Sequence, residues 1–242
     1  MSGKHHHAGF TLIEMAVAMF VLALLLGSIL VPLTTQVETR QIADTQKTMD
    51  EIRDALFGFA ATNGYLPCAD RQTGSGANDG TEDFDAATGL CSLISGSGSN
   101  KSSAGNVPWV TLGLGNQDAW GNRFRYTVLE LYARRAPAAS FSLGTSGGLR
   151  VCTSSSCATT LTTTAAAVII SHGKNGYSAY NANTNTLNTA ATSADELGNA
   201  NNDRDAMTRT QSNIASAEFD DIVIWISKPI LNSRMIAGGR LP

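Results

Sequence analysis

The chain has 242 residues and a formal net charge of −3; 43% of its residues are hydrophobic and only 15% charged. No stripe of Lys and Arg supplies the charge that phosphate backbones require, which argues against nucleic acid as a default partner. The length suffices for one membrane helix and one globular domain with a sizeable core.

The first nine residues are short and polar, carry Lys4, and stop at Gly9. An apolar run then extends from Phe10 to Leu33, 24 residues or about 36 Å as helix, enough to cross a bilayer. Within it stands one acid, Glu14. A carboxylate at such a position costs about 2.5–3.5 kcal/mol in lipid, so a membrane anchor retains it only if something neutralises it. A secretory signal peptide is excluded, because its small-residue cleavage site would follow the apolar region rather than precede it.

The string Gly9-Phe10-Thr11-Leu12-Ile13-Glu14 resembles the leader junction of type IV pilins and type II secretion pseudopilins. The resemblance implies that a prepilin peptidase cuts between Gly9 and Phe10 and that the new amine of Phe10 is methylated. It also implies that Glu14 pairs with that amine on a neighbouring subunit, so that two charges costly in lipid satisfy each other. Loss of residues 1–9 leaves 16 basic and 20 acidic residues, a net charge of −4. The competing reading is an uncleaved, membrane-anchored periplasmic binding or adhesion module whose Glu14 snorkels to the interface.

Beyond Pro32 the apolar residues Val37, Ile42, Met49, Ile52, Leu56 and Phe59 appear, the last four on one helical face, with charged residues opposite. One helix of about 53 residues, roughly 80 Å, is therefore expected from Phe10 to Thr62, stopping at Gly64. Gly27 and Pro32 predict a kink or melted stretch between them.

Residues 69–106 read as loop, rich in Gly, Ser, Asp and Asn. Strands are expected at 124–131, 149–152, 167–171 and 221–227. Residues 177–213 read as loop with a short helix near 205–215. The fold class is α+β: a long N-terminal helix packed on a small antiparallel sheet with long disulfide-tied loops. The resulting organisation is a leader over 1–9, a membrane and polymerisation half of the helix over 10–33, an amphipathic half over 34–64, and a periplasmic pilin-like domain over 65–242.

Four cysteines follow the apolar run, which suggests an oxidising compartment and two disulfides. Of three connectivities, Cys68–Cys91 and Cys152–Cys157 are favoured because each closes a Gly/Ser-rich segment locally. Structural zinc is disfavoured, since the spacing is not C-x-x-C and His172 is the only histidine outside the leader.

Two further strings extend the resemblance. Asp118-Ala119-Trp120-Gly121-Asn122-Arg123-Phe124-Arg125-Tyr126 is similar to an Asp-Pro-Trp-Gly-Asn-Pro-Tyr-x-Tyr segment of major pseudopilins. Ser171-His172-Gly173-Lys174-Asn175-Gly176 is similar to their Ser-x-Gly-x-Asp-Gly loop, which helps hold calcium. Asn175 replaces the aspartate, a poorer ligand for a hard cation. Downstream, Asp195, Glu196, Asn199, Asn201, Asp203 and Asp205 offer oxygens, as do Asp79, Glu82, Asp83 and Asp85 in the first disulfide loop. A calcium set of Asn175, Asp195 and Asp203 is the expectation.

No enzyme is expected. Gly144-Thr145-Ser146-Gly147-Gly148 fits G-x-S-x-G, but no acid lies between Ser146 and His172, so the required order of acid and histidine is missing. The resemblance implies other pilin or pseudopilin subunits, prepilin peptidase and an inner-membrane assembly platform as partners. It places the chain in the bacterial inner membrane with a periplasmic domain, then in a periplasmic or extracellular filament.

Overall fold

The computed structural model describes residues 11–241, with the helical backbone alone over 26–34. The chain divides into two units, one up to Ala43 and one from Asp44 onward.

Helix α1 spans Leu12–Asn63. It stops where expected: Gly64 takes φ 89° and its N–H bonds the Ala60 carbonyl at 2.8 Å, an end that a side chain would strain. The anticipated melted stretch is not seen, for helical backbone continues through Gly27 and Pro32. Proline removes one donor, which a 52-residue helix tolerates without ending. Among the described residues no helix is long and apolar enough to cross a membrane; the expected span includes Phe10 and the side chains of 26–34, which lie outside them.

From Asp44 the helix turns one face into the core through Met49, Ile52, Leu56, Phe57 and Ala60. Phe59, expected on that face, is half-buried and meets Tyr65 edge-on, with ring centroids 5.9 Å apart. The opposite face carries the pairs Lys47–Glu51 at 3.8 Å and Arg53–Asp50 at 2.9 Å.

Strands β1 (Phe84–Asp85) and β2 (Leu90–Cys91) form a small hairpin, which the Cys68–Cys91 disulfide ties to the segment following α1. The main sheet has six strands: β3 (Ser102–Asn106), β4 (Arg125–Leu129), β5 (Leu149–Cys152), β6 (Thr160–Ser171), β7 (Asp205–Met207) and β8 (Ile222–Ser227). Their order is β3-β4-β6-β5-β7, with β8 also pairing β6. The sheet is mixed rather than antiparallel, because β7 runs parallel to β5. Arg150 locks that pairing by gripping both carboxylate oxygens of Asp205, its register partner.

The register aligns Tyr126 with Ile169 and Val128 with Ala167 across β4 and β6, and these pair onward to Ile224 and Ile226 of β8. Alternation puts them on one face. Tyr126, Val128, Ala167, Ile169 and Ile226 join the helical residues in a single core.

Three departures from expectation have physical causes. Ser102–Asn106, expected as loop, is a fully buried strand. Its small residues permit contact that larger ones would block: a Cβ at Gly105 would stand 2.1 Å from the Asp70 carbonyl oxygen. Residues 205–207 form a strand rather than the start of a helix, and the helix of that region is α4, Ala194–Ala200. A C-terminal helix, Lys228–Ala237, buries Leu231 and Met235.

Asp70 is wholly buried at the β3 junction, where it accepts from the Gly80 N–H and where Asp79 and Asp83 also repel its charge. Burial is the largest influence and pushes its carboxyl up to about 7. A folded-state value above the unfolded one means stability that is complete at low pH and lost as pH rises through about 7. Melting temperature of the full chain in detergent should therefore fall from about pH 5 to about pH 8, and Asp70→Asn should flatten that fall. Parallel pH profiles of parent and variant would contradict this assignment.

Candidate functional site

Gly9 and Phe10 lie outside the described residues. Glu14 stands in the first turn of α1. Its carboxylate accepts from the Thr11 N–H at 3.0 Å and from the Thr11 hydroxyl at 2.9 Å, and its own N–H donates to Thr11 Oγ1 at 3.3 Å. This reciprocal arrangement is a capping box, in which two helix-terminal donors are satisfied by side chains. The spacing Thr-x-x-Glu just before an apolar run was the signal for it.

Behind Glu14, Leu12, Ile13, Met15, Val17, Met19, Phe20, Val21, Leu22, Leu24 and Leu25 are all exposed, from 46% to 90%. An apolar surface of this density is unusual for a helix in water.

In the globular unit the two strings singled out above meet. Asp118 Oδ1 accepts from the N–H groups of Trp120 and Asn122, and the Ser171 hydroxyl donates to Asp118 Oδ2 at 2.7 Å. Asn188 bridges the Asn122 side chain and the Gly176 carbonyl. Burial still holds the Asp118 carboxyl above its ordinary value.

Each residue of the expected calcium set, Asn175, Asp195 and Asp203, has protein partners. Asp195 is taken up by Arg209 at 2.7 Å and by the Ser155 N–H at 2.7 Å. Asp203 accepts from the Asn201 amide and the Asp205 N–H. Asn175 is occupied at both ends of its amide: Oδ1 accepts from Tyr177 N, and Nδ2 donates to Glu196 Oε1 at 3.0 Å. Sequence adjacency in a loop did not reveal which acids the fold brings together.

Those acids are Glu196, Asp220 and Asp221, with one carboxylate oxygen from each within 4.8 Å of the others. Glu196 comes from α4, the other two from the approach to β8. Asn175 links the first two, its N–H donating to Asp220 Oδ2 at 2.8 Å. Asn199 donates to Asp221 Oδ2 at 2.7 Å, and His172 Nδ1 lies 3.5 Å from Asp221 Oδ1. Gly173, at φ 59°, lets the loop close on Asp220, whose carbonyl would stand 2.4 Å from a Cβ there.

Glu196 Oε2, Asp220 Oδ1 and Asp221 Oδ1 are buried without a hydrogen-bond partner. Burial, together with repulsion from neighbouring acids, pushes Asp220 up to about 7 and raises Glu196. Three unpartnered oxygens in one buried cluster suit a hard divalent cation, which would satisfy all three and remove the repulsion. The signal that could have found Asp220 and Asp221 is a pair of acids entering the most β-prone strand of the chain.

Ser146 lies in an exposed turn, whereas His172 is buried beside Asp221. The structure pairs Cys68 with Cys91 and Cys152 with Cys157.

A family model described as the prokaryotic N-terminal methylation motif matches residues 4–30, the signature of type IV pilins and pseudopilins. The match supports a processed, pilin- or pseudopilin-like protein, structural rather than catalytic in character. No curated protein and no solved structure gives a significant match to the chain.

Proposed function

We propose that this chain, bearing the N-terminal methylation motif over residues 4–30, is a structural subunit of a type IV pilus or a type II secretion pseudopilus. In this reading prepilin peptidase removes residues 1–9, Phe10 is methylated, and residues 10–33 hold the subunit in the inner membrane. The assembly platform then transfers the same helix from lipid to the helices of other subunits. The domain over 65–242 stays periplasmic until the filament carries it outward.

The observation that carries the reading is the exposed apolar surface from Leu12 to Leu25 directly behind Glu14. Both lipid and a bundle of like helices would cover these exposed side chains. In the subunit alone Glu14 serves as the Thr11 cap; in the filament its charge meets the Phe10 amine of a neighbour. An acid this close to the helix start suits both duties, because the cap and the new amine lie within one turn of each other in sequence.

The intact mass of membrane-extracted protein tests the reading. It should show loss of residues 1–9 and gain of one methyl group, and Gly9→Val should accumulate at the unprocessed mass. Retention of the leader in the parent, or normal maturation of Gly9→Val, would refute it.

Calcium is the proposed occupant of the Glu196, Asp220 and Asp221 cluster. Bound to the folded state alone, it stabilises by about 2.7 kcal/mol at a concentration near 100 times its Kd. The full chain should therefore melt higher with calcium than with chelator. Asp220→Asn should raise stability in chelator by removing repulsion and should abolish the calcium response. Superimposable melting curves for the parent with calcium and with chelator would remove calcium from the account.

A further inference from the structure

Two buried arginines stand at the entry to β4: Arg123 two residues before it and Arg125 as its first residue. Arg123 stacks on the Trp109 ring, 4.0 Å from its centroid, and bonds the Asn185 amide oxygen. Arg125, only 3% exposed, bonds Gln72 Oε1 at 3.2 Å, the Asn201 carbonyl, and Asn202 Oδ1 at 2.7 Å. All three partners are neutral, and Nε has none.

Arg123 and Arg125 both lack an ion pair among the described residues and are held by neutral groups. Arg71, Arg135, Arg150 and Arg209 each pair with a carboxylate, whereas among the described residues none lies within ion-pair distance of Arg125. Asp203 acts on it only from farther away, and burial pushes the guanidinium down to about 10. Buried charge without a counter-charge is costly, and proteins ordinarily pair it.

Arg125 lines a cavity of about 290 Å³, together with Gln72, Ser178, Tyr180, Leu93 and Leu187. Asn202 also lines a second cavity of about 600 Å³, bordered by Ser95, Ser97, Asn100, Asp203 and Arg204. Ligand sites commonly fall between about 300 and 1,000 Å³ and combine apolar walls with a few placed polar groups. The flat guanidinium matches a carboxylate. The hydroxyls and amides match a hydroxyl-rich ligand, and Tyr180 with the two leucines offers apolar cover for a ring.

We infer that this paired cavity binds an acidic sugar, its carboxylate against Arg125 and its hydroxyls among the Ser and Asn side chains beyond Asn202. The inference does not depend on filament assembly, since every residue it uses belongs to the globular unit.

Calorimetric titration of the full chain in detergent with glucuronate, glucose and acetate tests it. Glucuronate should bind saturably, with glucose and acetate each at least about tenfold weaker, because each lacks one half of the recognition. Arg125→Gln should lose the preference for glucuronate over glucose. Leu187 is 58% exposed at the cavity wall, so Leu187→Trp should fill the space and weaken glucuronate binding by about tenfold without changing the melting temperature. Failure of glucuronate to bind, equal binding of glucose or of acetate, or parent-like binding by Leu187→Trp would overturn the inference.

Discussion

The globular unit depends on the seating of one helical face in the sheet core. Met49, Ile52 and Leu56 are wholly buried, and each contributes about 1.5–3 kcal/mol by leaving water. Whole domains are stable by only about 5–15 kcal/mol, so the sheet has no margin to fold without this segment of α1. The C-terminus reinforces the same contact: Arg240 donates to the Ala61 and Thr62 carbonyls beside the Gly64 cap. The helix therefore belongs to the domain's core at one end while exposing ten large apolar side chains at the other. A single element thus joins a buried core face to an exposed apolar surface.

Charge is handled differently in each part of the chain. On α1, Glu14 is satisfied locally by Thr11. In the globular unit three carboxylates gather with unpartnered oxygens, and the buried guanidinium groups of Arg123 and Arg125 are held by neutral groups. Low overall charge, 15% of residues, makes these concentrations stand out, because few surface ions surround them. Each is an incomplete electrostatic set: the acids call for a cation, Arg125 for an anion.

Helical and strand periodicity were legible wherever burial follows alternation. The step from Met49 to Ile52 to Leu56 identified the core face, and the β-branched run before Ser227 identified β8. Strand β3 was not legible, since Ser102, Ser103, Gly105 and Asn106 have no β preference and are held by the ladder with β4 and by close backbone approach. Helix 228–237 left a readable trace that was missed: Pro229 at its start and the i, i+4 pair Leu231 and Met235. The N-terminal methylation motif was read from six residues, because a lone acid in an apolar run has few explanations. The acid cluster was not, because Glu196 lies 24 positions before Asp220, and only tertiary folding joins it to Asp220 and Asp221.

Glu14 has two duties in this account, capping its own helix and pairing with a neighbour's amine, and a comparison of two variants separates them. Thr11→Val removes the hydroxyl from the cap but leaves the charge; Glu14→Ala removes the charge together with the carboxylate's part of the cap. Filament yield should be measured after shearing or pseudopilus overexpression, at matched levels of processed subunit. The account predicts near-parent assembly for Thr11→Val and loss of assembly for Glu14→Ala. Equal losses in the two variants, or undiminished assembly of Glu14→Ala, would contradict a pairing role for the charge.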